Sequence, residues 1–116
     1  MVFRTQKVED AMVMMIEGKL LSEQETTPMR EQISSELETG TKKFIFDLKG
    51  IEFVNSACLN FLMSARKLVS EKDGKIVLCN VPDQLKKLLS VTKLESFFII
   101  AGRTEEAMTM LRSKES

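Results

Sequence analysis

A chain of 116 residues is long enough to bury roughly two-thirds of the surface its unfolded form would expose, so one continuous core and one domain over residues 1–116 are expected. Seventeen Lys and Arg balance seventeen Asp and Glu, which leaves no bulk charge to hold nucleic acid or an acidic membrane face. Histidine is absent and the only cysteines are Cys58 and Cys79, in no ligand-like spacing; this argues against zinc, a disulfide framework and any Ser-His or Cys-His hydrolase.

The first element is read from "VFRTQKVEDAMVMMIEG". Two apolar-leaning segments, Val2 to Lys7 and Ala11 to Glu17, flank the polar Glu9-Asp10 and predict an antiparallel hairpin. The second of them, with Met12-Val13-Met14-Met15-Ile16 in succession, reads as a strand buried on both faces. The apolar run from Ala11 to Ile16 is too short to cross a membrane and lacks the layout of a secretory signal, so a cytoplasmic protein is expected.

In "TTPMREQISSELETG", Met29, Ile33 and Leu37 recur at i, i+4 and i+8. Thr27 can cap this helix, Pro28 suits its first position and Gly40 its stop. From Phe44 onward strand and helix alternate: "FIFDL", a helix from Ser56 to about Lys72, "KIVLCN", a helix from Pro82 to Ser90, "FFII", and a helix from Thr104 to Arg112. Asp73-Gly74 marks a turn, and Thr104 followed by Glu105-Glu106 places acids at the positive end of the last helix. The predicted fold is α/β, a mixed, mostly parallel sheet with an N-terminal antiparallel strand pair and about four helices.

The junction "EFVNSACLNFL" puts Ser56 where a strand hands over to a helix, beyond the carboxyl edge of the sheet, where α/β proteins usually carry their function. Cys58, Leu62, Ala65 and Val69 share the apolar face of that helix; Asn60, Ser64 and Lys67 lie opposite, with Met63 at the border. A serine at such a place can cap the helix at a value of about 1 kcal/mol, and the same free amides and dipole would accept a phosphoryl group. Position alone leaves both roles open.

Other chemistry is weaker. Cys58 near a helix N-terminus could be an activated thiol, but its place on the apolar face favours an inert core residue. Seven residues separate Cys58 from Arg66, which does not fit a tyrosine-phosphatase loop, and Ser56 and Lys67 stand about three helical turns apart, too far for a Ser-Lys pair. No Walker or dinucleotide glycine pattern occurs. Met12, Met14, Met15, Met108 and Met110 fall in segments the core claims, and Lys86-Lys87 reads as a solvated face.

The stretch "FDLKGIEFVNSACLNFLMSARK" resembles the signature segment of STAS domains, the family of anti-sigma factor antagonists. "GKIVLCNVPDQLKKLLSVTKLESFFII" is similar to the family's second half, and "GRTEEAM" to its last helix entry. The likeness spans nearly the whole chain, in order. Three positions depart from the family pattern: Asn55 stands for the usual Asp, Cys58 for a glycine, and Leu21 for an acid, with Glu23 nearby. They mark a divergent member.

The resemblance implies a non-enzymatic switch in transcription regulation, with no cofactor and no membrane insertion. The serine after the acidic position is phosphorylated by a partner that is both anti-sigma factor and serine kinase; only the unphosphorylated form binds that partner. Carried over by position, Ser56 is the phosphoacceptor, and a phosphatase would act on it. Leu21, Ser22, Glu23, Asn55, Ala57, Asn60 and Met63 are expected to form the partner-binding edge. The alternative is a constitutive STAS interaction module, a stress-signalling scaffold or a transporter subunit, that binds without a phosphate.

Overall fold

A computed structural model describes residues 2–19 and 23–113. The chain opens as the expected hairpin: β1 (Val2–Val8) pairs antiparallel with β2 (Ala11–Lys19), and Val8 faces Ala11 across a turn in which Glu9 takes φ 58°. A 3-10 turn, Glu23–Thr26, runs directly into α1 (Thr27–Glu38). That continuity corrects the expected start: Thr26, not Thr27, occupies the cap position, and it makes no side-chain cap hydrogen bond. Its hydroxyl instead accepts a hydrogen bond from Arg30. Gly40 ends the helix as read, at φ 100°, a conformation costly for any side chain.

The third strand, β3 (Lys43–Phe53), is much longer than "FIFDL". Its parallel register with β2 survives two irregularities, between Met15 and Glu17 and between Gly18 and Lys19, and continues to Lys19 opposite Phe53. Gly50 permits this close passage, because a Cβ there would lie 2.6 Å from Glu17 Cγ. After β3 come α2 (Ser56–Ser70), β4 (Lys75–Cys79) and α3 (Asp83–Val91). The last strand, β5, is Ile99–Ala101 and not "FFII": Phe97 belongs to a 3-10 turn, Glu95–Phe97, that precedes it. The helix α4 (Thr104–Ser113) closes the described chain.

The five strands lie in sequence order, with β2 to β5 parallel and β1 antiparallel at one edge. Strand alternation divides the core. Met12, Met14, Ile16, Phe44, Phe46, Leu48, Ile76 and Leu78 face a large cluster closed by α1, α2 and α3. Ala11, Val13, Ile45, Val77 and Cys79 face a smaller one closed by α4 through Ala107, Met108 and Leu111. The second strand is therefore buried on both faces, as its unbroken apolar run predicts. Met12, Met14 and Met108 are core, and Met15 and Met110 pack against the smaller cluster.

Candidate functional site

The ring of Phe61 stacks on that of Phe46, centroids 5.8 Å apart and planes 14° off parallel, and Leu62, Ala65 and Val69 continue the same buried stripe. This packing fixes α2 against β3. Because β3 ends at Phe53 and α2 begins at Ser56, the helix N-terminus is held at the carboxyl edge of the parallel strands.

The cap of α2 is Asn55, not Ser56. Asn55 is extended, at φ −146° and ψ −172°, and its Oδ1 accepts the Cys58 amide at 3.2 Å; the Asn55 carbonyl lies 3.1 Å from the same amide. Ser56 is thus the first helical residue. It is exposed, and its hydroxyl makes no hydrogen bond among the described residues. The amides of Ser56 and Ala57, one and two residues into the helix, have no intrahelical acceptor. The first turn carries no acidic side chain, so the helix itself places no carboxylate at the positive end of its dipole. Capping, one of the two roles the sequence leaves to Ser56, is taken by its neighbour.

The remaining expected contacts divide. Asn60 is exposed one turn beyond Ser56, and Met63 is half-buried against the larger core cluster. Asn55 is half-buried with its side chain committed to the cap. Ala57 is 7% exposed and belongs to the core, so its methyl is not offered to a partner. Leu21 and Ser22 lie outside the described residues, as does the side chain of Glu23; the turn Glu23–Thr26 itself packs against α2.

Cys58 is buried at 2% exposure, and burial pushes its thiol up to about 11. Cys79 is buried as well and its thiol is raised, chiefly by burial, against a lowering contact with Thr104 Oγ1 at 3.5 Å. Neither is an activated nucleophile. Among the described residues no group of three or more acidic or cysteine side chains could hold a metal, and no helix is long and apolar enough to cross a membrane.

The sequence reading missed a cleft of 510 Å³ between α1 and α2, lined by Arg30, Ser34, Ser35 and Ser64 among others. Its signal was present in the polar face of α1, opposite Met29 and Ile33. Ser64 extends the face that carries Asn60, so the outer surface of α2 and this cleft are continuous.

Residues 3–107 match the profile of the STAS domain. The inferred anti-sigma factor antagonist BtrV of Bordetella bronchiseptica is 17% identical over 107 residues, covering 92% of this chain and 91% of that protein. An inferred anti-sigma factor antagonist of Thermotoga maritima is 25% identical over 109 residues, covering 93% and 96%. Among solved structures, the anti-sigma factor antagonist SpoIIAA in its unphosphorylated form superposes with a TM-score of 0.81 at 19% identity, over 97% of each chain. The phosphorylated form of SpoIIAA, from Bacillus, superposes with a TM-score of 0.74 at 18% identity, over 95% of this chain and 99% of that one. The sheet order, the antiparallel first pair and the four helices are those of this fold, and the chain belongs to the STAS domain family.

Proposed function

We propose that this STAS domain is an anti-sigma factor antagonist that binds an anti-sigma factor with serine-kinase activity while Ser56 is unmodified, and releases it once Ser56 is phosphorylated. The observation that carries the reading is the state of Ser56: exposed, without a hydrogen bond from its hydroxyl among the described residues, and relieved of the cap by Asn55.

The physical argument is one of differential cost. A phosphate adds about −1.5 to −2 charges. In the free protein it would sit at a helix N-terminus whose first turn carries no acid, beside two amides without an intrahelical acceptor, in water. In a complex it would have to be desolvated against a surface shaped for a neutral hydroxyl, and at an interface without compensating cations that desolvation opposes binding. The modification is therefore tolerated by the fold and opposed by the interface. A phosphatase acting on Ser56 would reset the domain, and the partner would touch the exposed side of α2 at Ser56 and Asn60, with Met63 at its border, and would contact Leu21, Ser22 and Glu23 as well.

A constitutive interaction module is the second reading, and Asn55 favours it: where the family has a carboxylate, this chain has a neutral amide whose oxygen is occupied by Cys58. Affinity capture from the native host's lysate, with Ser56→Ala and Ser56→Asp proteins as baits, separates the two. A protein of the anti-sigma or kinase class retained by the Ala bait and lost from the Asp bait supports the switch. Equal recovery on both baits contradicts it and supports the module.

A further inference from the structure

At the opposite end of α2 lies a second, unrelated pocket. It opens at the amino edge of the sheet, between the last turns of α2 and the start of β4 and β5, and has a volume of 220 Å³. β5 pairs with β4 only from Val77 onward, so Lys75 and Ile76 have no strand beside them on that side. The gap is walled by Val69, Ile76 and Phe98, each under a tenth exposed, and by the ring of Phe97, which is 45% exposed.

Two cations line this apolar hollow. Arg66 is held twice: its Nε–H donates to the Phe97 carbonyl at 2.7 Å, and its guanidinium carbon stands 5.1 Å from the centre of the Phe97 ring. A guanidinium has five N–H donors, and Nε–H is the only one of Arg66 engaged by a described residue. No acidic group pairs with it among the described residues. Lys75, exposed at the first position of β4, is likewise without a side-chain partner there. Its backbone amide is tied to the Lys42 carbonyl at 2.8 Å, so its Cα is fixed while its ammonium is uncommitted.

We propose that this pocket binds a small organic carboxylate with an aromatic or short aliphatic body. The planar fork of Arg66 matches a carboxylate in a two-point contact, Lys75 adds a second positive charge, and the apolar walls take the body. The volume equals that of about seven liquid waters, below the size of a typical drug-binding cleft, which limits the occupant to a single ring or short chain. A free acid and the C-terminal residue of a peptide present the same chemistry. The pre-set Arg66 lowers the ordering cost of binding either one.

The test is an NMR titration of the full chain with phenylacetate and with an N-acetylated tripeptide ending in phenylalanine, each beside its uncharged amide. Saturable shifts at the Arg66 Nε–H and at the Ile76 and Phe97 amides are expected at millimolar concentration. The tighter of the two carboxylates identifies the source. Lys75→Gln should weaken binding severalfold with the thermal midpoint unchanged, and Arg66→Lys, which keeps the charge and loses the fork, by about tenfold or more. Ser56→Asp should leave the affinity unaltered. No saturable binding by either carboxylate, equal binding by the amides, or an affinity indifferent to both pocket variants overturns the proposal.

Discussion

Replacing Asn55 should cost stability and replacing Ser56 should not, although the two residues are neighbours and both belong to the best capping types. Asn55→Ala removes the acceptor at 3.2 Å from the Cys58 amide and should cost about 1 kcal/mol. The Asn55 carbonyl, 3.1 Å from the same amide, holds the loss below the upper end of the range for caps. For a chain of this length that is a fall of about 3–6 °C in Tm. Ser56→Ala removes a hydroxyl that bonds to nothing described and installs the best helix former, so the change should lie between zero and a gain of a few tenths of a kcal/mol. Ser56→Asp places a carboxylate at an N-terminal turn that carries no acid, and should stabilise by about 0.3–1 kcal/mol at low ionic strength. Near 1 M salt, where the screening length falls to about 3 Å, that gain should largely vanish. Urea and thermal unfolding of the three variants at low and high salt read all of this. A loss in Ser56→Ala equal to that in Asn55→Ala, or a destabilised Ser56→Asp, would refute the assignment of the cap. The sign also matters for function, since a binding defect in a more stable protein cannot be ascribed to unfolding.

The thiol of Cys58, pushed up to about 11, should have about a thousandth of its population as thiolate at pH 8, so alkylation of the folded protein should be slow and should accelerate on unfolding. Its proton is kept in the folded state and lost from the unfolded one between its ordinary value near 9 and 11. Stability should therefore decline with rising pH across that window, more steeply than in Cys58→Ala. Gly74→Ala should destabilise by about 1–3 kcal/mol, because the new Cβ would lie 2.7 Å from both the Lys42 carbonyl oxygen and Val69 Cγ1; a neutral result in chemical denaturation would contradict the packing at the start of β4. The Asp10 carboxyl, held below the ordinary carboxylate value first by its hydrogen bond to Lys43 at 2.9 Å, should return toward that value in Lys43→Gln when its titration is followed by NMR.

Periodicity made the order of strands and helices readable, since the burial pattern of β2 and the apolar stripe of α2 are both written in residue spacing. What spacing could not carry was local competition between equivalent choices. Asn55 and Ser56 are both good caps, and only the extended backbone at Asn55 decides between them. β3 runs past Lys49 and Gly50, which look like a strand end, because its partner β2 deforms to follow it. Phe97 and Phe98 look alike in sequence, yet Phe97 turns outward under the Arg66 side chain while Phe98 enters the core; that choice depends on a contact 31 residues distant. Ala57 illustrates the limit for the site: a residue beside an exposed serine reads as accessible until the helix phase, set by Phe61 on Phe46, turns it inward.

The most direct test of the proposed switch is the affinity, by calorimetry, of the captured partner for the wild-type chain made with serine and with phosphoserine at position 56. The account predicts that the unmodified chain binds and that phosphoserine weakens binding by about a hundredfold or more, the consequence of desolvating the added charge at the interface. Equal affinities for the two forms would contradict it and leave Ser56 an exposed first-turn residue without a regulatory role.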